Sequence, residues 1–311
     1  MVRKVPFFWD GYNMYWRFRC WLESRREYQL PHSLLSVEED EEPTIEHPVC
    51  QLCTSSQIRN PTYRKWCKEI DSPPRFSRKQ WEFAYIMQVL WQAGMLRSGK
   101  KGVGFGCGTE PLPGIFAKYG CRVLATDLEK KEAEELGWVG SLQHAGSLES
   151  LYESSNKVLE RDLFFELVSF KIVDMNDIPV DLGKYDFTWS ACAFEHLGSL
   201  RKGMEFVKNT CKLLKPGGVA VHTTEFNLSS NDNTMETPGC SVYRRKDIQQ
   251  LVNELQADGL EVAPLNFHPG KGSVDHHVDI PPYGFSPHLK TILEEYVVTS
   301  IGLIVRHPVC Q

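Results

Sequence analysis

The stretch from residue 101 to 128, KGVGFGCGTEPLPGIFAKYGCRVLATDL, constrains this chain more than any other. Val103 to Phe105 is a short apolar run that stops at Gly106-Cys107-Gly108. Beyond Pro111 and Pro113, apolar residues at helical spacing (Ile115, Phe116, Ala117, Tyr119) end at Gly120. A second apolar run, Cys121 to Ala125, finishes at Asp127. Strand, glycine turn, helix, strand and acid make one βαβ unit. Glycines after the first strand let the backbone approach a ligand and offer it N–H groups. An acid ending the second strand, about twenty residues on, can accept both hydroxyls of a ribose. A nucleotide or nucleoside cofactor is therefore expected, and the spacing leaves its identity open. Pro111 stands where a dinucleotide fingerprint needs its third glycine, which counts against NAD.

The rest of the chain sets bounds. Its 311 residues, 41% hydrophobic and 24% charged, suffice for one large α/β domain with appendages. A net charge of −5 argues against a mainly electrostatic nucleic-acid binder. No apolar run approaches the ~20 residues of a membrane span, so no membrane partner is expected. Ten cysteines without a paired framework suit a reducing compartment, and a cytoplasmic location is expected. The sequence leaves the oligomeric state open.

Residues 1–76 read as an N-terminal extension. Phe7, Phe8, Trp9, Tyr12, Tyr15, Trp16, Phe18 and Trp21 recur at roughly helical spacing, as a packed helix or as a lid, and 36–46 form an acidic loop. His47, Cys50 and Cys53 have H-x2-C-x2-C spacing, and with Cys67 they are candidate zinc ligands; buried thiols are the alternative. Ser77 to Gln80 reads as a capping box opening a helix to about Leu96, with Trp81 on its apolar face. A helix is expected over about 148–160 and a third strand from Leu167 to Val173, ending in Asp174-Met175. Tyr185-Asp-Phe-Thr-Trp-Ser190 is a fourth strand, followed by Glu195-His196-Leu197 and a helix. Lys215-Pro-Gly-Gly218 then turns into a fifth strand, Val219 to Thr223. An amphipathic helix from Lys246 to Ala257 closes at Gly259, strands are expected near 260–267 and 296–305, and a Gly/Pro/His-rich loop spans 268–290.

The glycine turn, Asp127, the fourth strand and the order Glu-His-Leu, helix, Leu-Lys-Pro-Gly-Gly, strand resemble class I S-adenosylmethionine (SAM)-dependent methyltransferases. The resemblance covers about residues 77–226 and is to the small-molecule enzymes typified by ubiquinone biosynthesis. Two positions depart from the family pattern: Gly104 replaces an acid, and Glu110 the third glycine of the turn. The resemblance implies a Rossmann-like, seven-stranded, mostly parallel sheet with helices on both faces and an antiparallel last strand, over residues 77–311. It implies SAM as cofactor, held by Phe105, Gly106, Cys107, Gly108, Glu110, Asp127, Leu128, Asp174, Met175 and Ser190, with Trp81 bordering the pocket. Glu110 would meet the amino acid end of SAM.

Methyl transfer needs an aligned acceptor in a dry pocket and, for oxygen or nitrogen, a base for its proton. His196, His222, Glu195 and Glu225 are the catalytic candidates, and His276, His277 and Tyr283 the substrate-binding ones. Each histidine taken singly also reads as a surface or packing residue. Asp275, His277 and Asp279 could hold Mg²⁺, with His222 and Glu225 as further ligands. The leading expectation is O-methylation of a sugar or other hydroxylated small molecule with a histidine base. One alternative is a non-catalytic SAM-fold binding or scaffold module, motivated by Gly104 and Glu110. Another is a protein or nucleic-acid methyltransferase. The amine-methylating signature N/D-P-P-Y/F is absent after the fourth strand, which continues as SACAFEH.

Overall fold

A computed structural model describes residues 41–309, apart from 136, 141–142, 156–157 and 285. The aromatic set of residues 7–21 and the first half of the acidic run lie outside the described residues. The strands are β1 (Cys50–Leu52), β2 (Lys101–Gly104), β3 (Arg122–Asp127), β4 (Val168–Ile172), β5 (Tyr185–Ala191), β6 (Leu214–Asn227), β7 (Glu261–Val262), β8 (Leu265–Asn266), β9 (Thr291–Leu293) and β10 (Tyr296–Arg306). The helices are α1 (Ser55–Arg59), α2 (Pro61–Glu69), α3 (Arg78–Gln92), α4 (Leu112–Lys118), α5 (Lys130–Glu135), α6 (Leu148–Ser155), α7 (Arg161–Leu167), α8 (Leu200–Cys211) and α9 (Arg245–Ala257).

The sheet runs β4-β3-β2-β5-β6-β10-β1-β8. The first five strands are parallel and β10 is antiparallel to β6, as expected of a Rossmann-like sheet. Chain order reverses between β2 and β5, which opens a crevice at the carboxyl ends of these strands. Alternation along the strands sends successive side chains to opposite faces. Phe187 and Trp189 of β5 point at Phe116 of α4, while Ser190 points, through His222, at Thr210 of α8. Helices therefore cover both faces.

The far edge departs from the seven-stranded expectation, since among the described residues ten short and long strands build the sheet. The strand expected over 260–267 breaks at Pro264, which has no N–H to donate to a ladder. Before the break β7 pairs with β10; after it β8 pairs with β1. β1 itself lies antiparallel to β10, so part of the N-terminal extension is a strand of the main sheet. Ile45, Cys50, Leu52, Tyr63 and Trp66 are buried in the same core as the methyltransferase-like segment. Buried amides stitch the two together: Trp81 Nε1 donates to Gln57 Oε1 at 2.8 Å, and Trp66 Nε1 to Gln88 Oε1 at 2.8 Å.

Elsewhere boundaries move by a few residues. Ser77 caps α3 by accepting from the Gln80 N–H, but the Gln80 side chain turns to Tyr63 and Arg75, so the reciprocal half of the capping box is not made. The helix expected over 148–160 ends at Ser155, and α7 then runs directly into β4.

Candidate active site

A cavity of about 690 Å³ opens at the carboxyl ends of β2 to β6, within the usual size of a small-molecule site. One end is built mostly from backbone. Gly106 and Gly108 have φ of +58° and +52°, the left-handed region that glycine adopts at little cost. Both are also sterically closed: a Cβ on Gly106 would lie 2.9 Å from Ala193 Cβ, and one on Gly108 would lie 2.2 Å from the Gln143 carbonyl oxygen. Asp127 closes the turn from the next strand. Its Oδ2 accepts from Gly108 N at 3.1 Å and Ala145 N at 2.9 Å, and its Oδ1 from Leu128 N at 2.8 Å. Burial pushes this carboxyl up, and the N–H donors counter it. Leu128, Asp174 and Met175 line the same end. Asp174 is exposed and also forms an Asx turn with Asn176 N at 2.8 Å.

The two departures at Gly104 and Glu110 are connected through one side chain. In register, Gly104 lies beside Trp189, and a Cβ there would sit 2.2 Å from the indole. The missing side chain makes room for the ring, which stands edge-on to Phe116 at 4.9 Å. The indole Nε1–H donates to Glu110 Oε1 at 2.7 Å. Glu110 thus stands on the cavity wall, anchored by the ring for which Gly104 leaves room. Burial pushes Glu110 up to about 8.

The other end is made of side chains from distant segments. α3 contributes Arg78, Lys79 and Glu82; the end of β5 contributes Cys192. Arg78 forms an ion pair with Glu225 of β6. Lys79 Nζ donates to the Ala191 carbonyl at 2.6 Å and lies 3.5 Å from Glu82 Oε2. Glu195 is fully buried, its Oε2 accepting from Thr224 Oγ1 at 3.0 Å. His196 is committed through Nδ1 to the Gly239 carbonyl at 2.7 Å, with its ring edge against Trp138. From the long loop comes His288, whose Nδ1 meets Asp279 Oδ2 at 2.6 Å. Asp279 is itself fixed by the Gly284 N–H at 3.0 Å. Backbone bonds join His288 to the start of α3, with Arg78 N donating to the His288 carbonyl at 3.0 Å.

Of the sequence candidates, Gly106, Cys107, Gly108, Glu110, Asp127, Leu128, Asp174 and Met175 line the cavity, as do Glu195, His196 and Glu225. Others sit elsewhere. Phe105 is buried beneath the turn against Phe206, and Trp81 is buried against Tyr85. His222 lies in the core between β6 and α8, with Nδ1 2.8 Å from Ser190 Oγ and Nε2 3.0 Å from Thr210 Oγ1. Both ring nitrogens are engaged and burial pushes its pKa down to about 3, so neither it nor Ser190 faces the cavity. His276 and His277 are exposed and outside the cavity wall; the Tyr283 ring instead backs His288.

The metal spacings do not assemble either. Cys50 is a strand residue whose Sγ accepts from Ile304 N at 3.2 Å, and Cys53 and Cys67 are buried thiols raised by desolvation. Asp275 is taken up by Ser55 N at 2.8 Å and Ser55 Oγ, and Asp279 by His288. Among the described residues only Cys192, Glu195 and Glu225 bring three ligand atoms within 4.8 Å of one another. The residues that sequence reasoning missed are Arg78, Lys79, Glu82, Cys192 and His288. The first three follow the Ser77 cap at the start of a helix next to the sheet, which was the available signal.

The cavity fits the cofactor that the motifs implied. It offers a glycine turn that any Cβ would fill, an acid at the second strand end, and a Met beside the third. Among the described residues no helix is long and apolar enough to cross a membrane. No curated protein was found to match the sequence. Solved structures that resemble the fold include an S-adenosylmethionine-dependent methyltransferase from Clostridium acetobutylicum, 13% identical over 79% of this chain and 92% of that one, with a TM-score of 0.41. The CcbJ methyltransferase from Streptomyces caelestis is 11% identical over 79% and 98%, with a TM-score of 0.42. A SAM-dependent methyltransferase from Aquifex aeolicus is 16% identical over 71% and 88%, with a TM-score of 0.38. The family model described as "Methyltransferase domain" matches residues 79–264. The chain belongs to that methyltransferase family, as a class I SAM-dependent member.

Proposed function

We propose that the protein moves the methyl group of SAM to a hydroxyl of a small polar molecule, with His288 as the base. The observation that carries this reading is a single cavity running from the glycine turn to a histidine held by a buried carboxylate. SAM supplies a methyl group on a cationic sulfur, open to in-line attack. Asp127, with lone pairs beyond its three backbone donors, would receive the ribose hydroxyls. Met175 and Asp174 would border the adenine. Glu110 would accept a hydrogen bond from the ammonium of the methionine part, and Lys79 would face its carboxylate.

The acceptor would lie among Arg78, Cys192, Glu195 and His288. Because Nδ1 of His288 is bonded to Asp279, Nε2 is the nitrogen left for a ligand, in the tautomer that can accept a proton. Asp279 would also steady the imidazolium formed as the acceptor loses that proton. Arg78 and Lys79 would offset part of the negative charge of Glu225 and Glu82. His196 has its Nδ1 bound to a carbonyl and serves this reading as a wall residue. The polar wall supports a hydroxylated acceptor, such as a sugar, over a peptide or nucleic-acid strand. Labelled-methyl transfer from SAM to a panel of sugars and other polyols tests it. Label in at least one small hydroxylated compound is expected; label confined to protein or nucleic acid would overturn the reading.

A further inference from the structure

The acceptor end of the cavity holds more carboxylate than its side chains satisfy. Glu195 is 0% exposed, and its Oε1 has no hydrogen-bond partner among the described residues. The nearest nitrogen recorded for it, His196 Nε2, is 3.9 Å away, beyond hydrogen-bond reach. Glu225 gives Oε1 to Arg78, while its buried Oε2 is likewise without a partner. Cys192 stands with them at φ +51°, a strained setting for a non-glycine residue, held by bonds from its N–H to Thr223 O and Oγ1, both at 3.1 Å. One ligand atom from each of the three lies within 4.8 Å of the other two, and all three residues line the cavity. Two buried carboxylates that face each other with unfilled lone pairs are unfavourable unless a cation or proton lies between them. Arg78 serves one of them and Lys79 faces Glu82, so neither supplies Glu195 Oε1.

We propose that Cys192, Glu195 and Glu225 bind one divalent cation of the zinc class. The sulfur sets the class: magnesium and calcium take oxygen ligands, whereas a thiolate with two carboxylates suits zinc or cobalt. Three protein ligands leave a fourth position, as in catalytic zinc sites, and here that position opens on the cavity. If the methyl-transfer reading holds, on which this part rests, the fourth ligand is the acceptor's oxygen, made more acidic by the metal. Binding breaks the Cys192 S–H bond and forms a sulfur–metal bond, and the proton leaves to solvent. That proton now lies on a bond to Glu82 Oε1 at 3.1 Å; Glu82 keeps Ser300 Oγ as donor afterwards. The thiolate and two carboxylates outweigh a divalent ion by one charge, which Arg78 balances.

The test is a titration of the chelator-treated, full-length chain with Co²⁺, read by absorption. One Co²⁺ per chain with a thiolate-to-cobalt charge-transfer band is expected. Cys192→Ser should remove the band, Glu195→Gln should weaken binding at least tenfold, and Cys50→Ser should change neither. Absence of the band, or a band that survives Cys192→Ser, would overturn the site. Should Cys192→Ser fail to fold, Glu195→Gln alone decides, since unchanged affinity there also overturns it. SAM binding is measured by calorimetry on the same preparations. An unsubstituted chain that binds SAM but no Co²⁺ defeats only this proposal, and one that binds Co²⁺ but no SAM defeats only the methyl-transfer reading.

Discussion

The two ends of the cavity are built on different principles. The end proposed for the cofactor is mostly backbone: a turn with two left-handed glycines, and a carboxylate fixed by three N–H groups from three separate segments. The end proposed for the acceptor is made of side chains carried by α3, the ends of β5 and β6, and a loop far along the chain. Backbone geometry follows from the fold and changes little with sequence. Side-chain geometry can change with any one residue. The first end therefore suits a common cofactor and the second a particular acceptor.

The largest expected effect lies at the cofactor end. Asp127→Ala should abolish measurable SAM binding, because it removes the ribose acceptor and leaves the Gly108 and Ala145 N–H groups without their partner. Calorimetry checks this, and retained affinity would dissolve the distinction between the ends. At the acceptor end, His288→Gln should lower kcat by about 10²–10⁴ with the SAM affinity unchanged, and Asp279→Asn by less. Turnover that is indifferent to both would remove the long loop from the chemistry.

Smaller effects sharpen the frame around the two ends. Gly104→Ala should cost about 1–3 kcal/mol or more, since the new methyl meets the Trp189 ring and Cys107 Sγ. A denaturant midpoint unchanged by this substitution would mean that the indole does not lie over β2. Last comes acid stability. Burial holds His222 neutral down to about 3, whereas an unfolded histidine takes up its proton near pH 6.5. Below that pH the unfolded chain binds more protons, so stability should fall by up to about 1.4 kcal/mol per pH unit. His222→Asn should flatten that slope and leave turnover at neutral pH intact. An unaltered slope in urea titrations would show that this imidazole is not the group being charged.

What the sequence made legible divides along the same line. The βαβ unit ending at Asp127 and the succession of strands and helices were readable because each depends on short-range spacing within one stretch of chain. The link from Gly104 through Trp189 to Glu110 was not, because it depends on the register between β2 and β5. His222 was misjudged for a related reason. Strand alternation puts it on the face opposite Thr223, and which face meets the cavity is decided only once α8 covers one of them. His276 and His277 drew attention as a pair, yet the loop's hydrogen bonds present His288 to the cavity instead. The edge strands were obscured by their brevity: β1, β7, β8 and β9 are too short to show a period.

A crystal structure of the protein with S-adenosylhomocysteine would test the central claim most directly. The account predicts the ribose at Asp127, the adenine beside Met175, and the sulfur directed toward the space between Cys192 and His288. A ligand bound outside this cavity, or its sulfur turned away from the side-chain end, would contradict it.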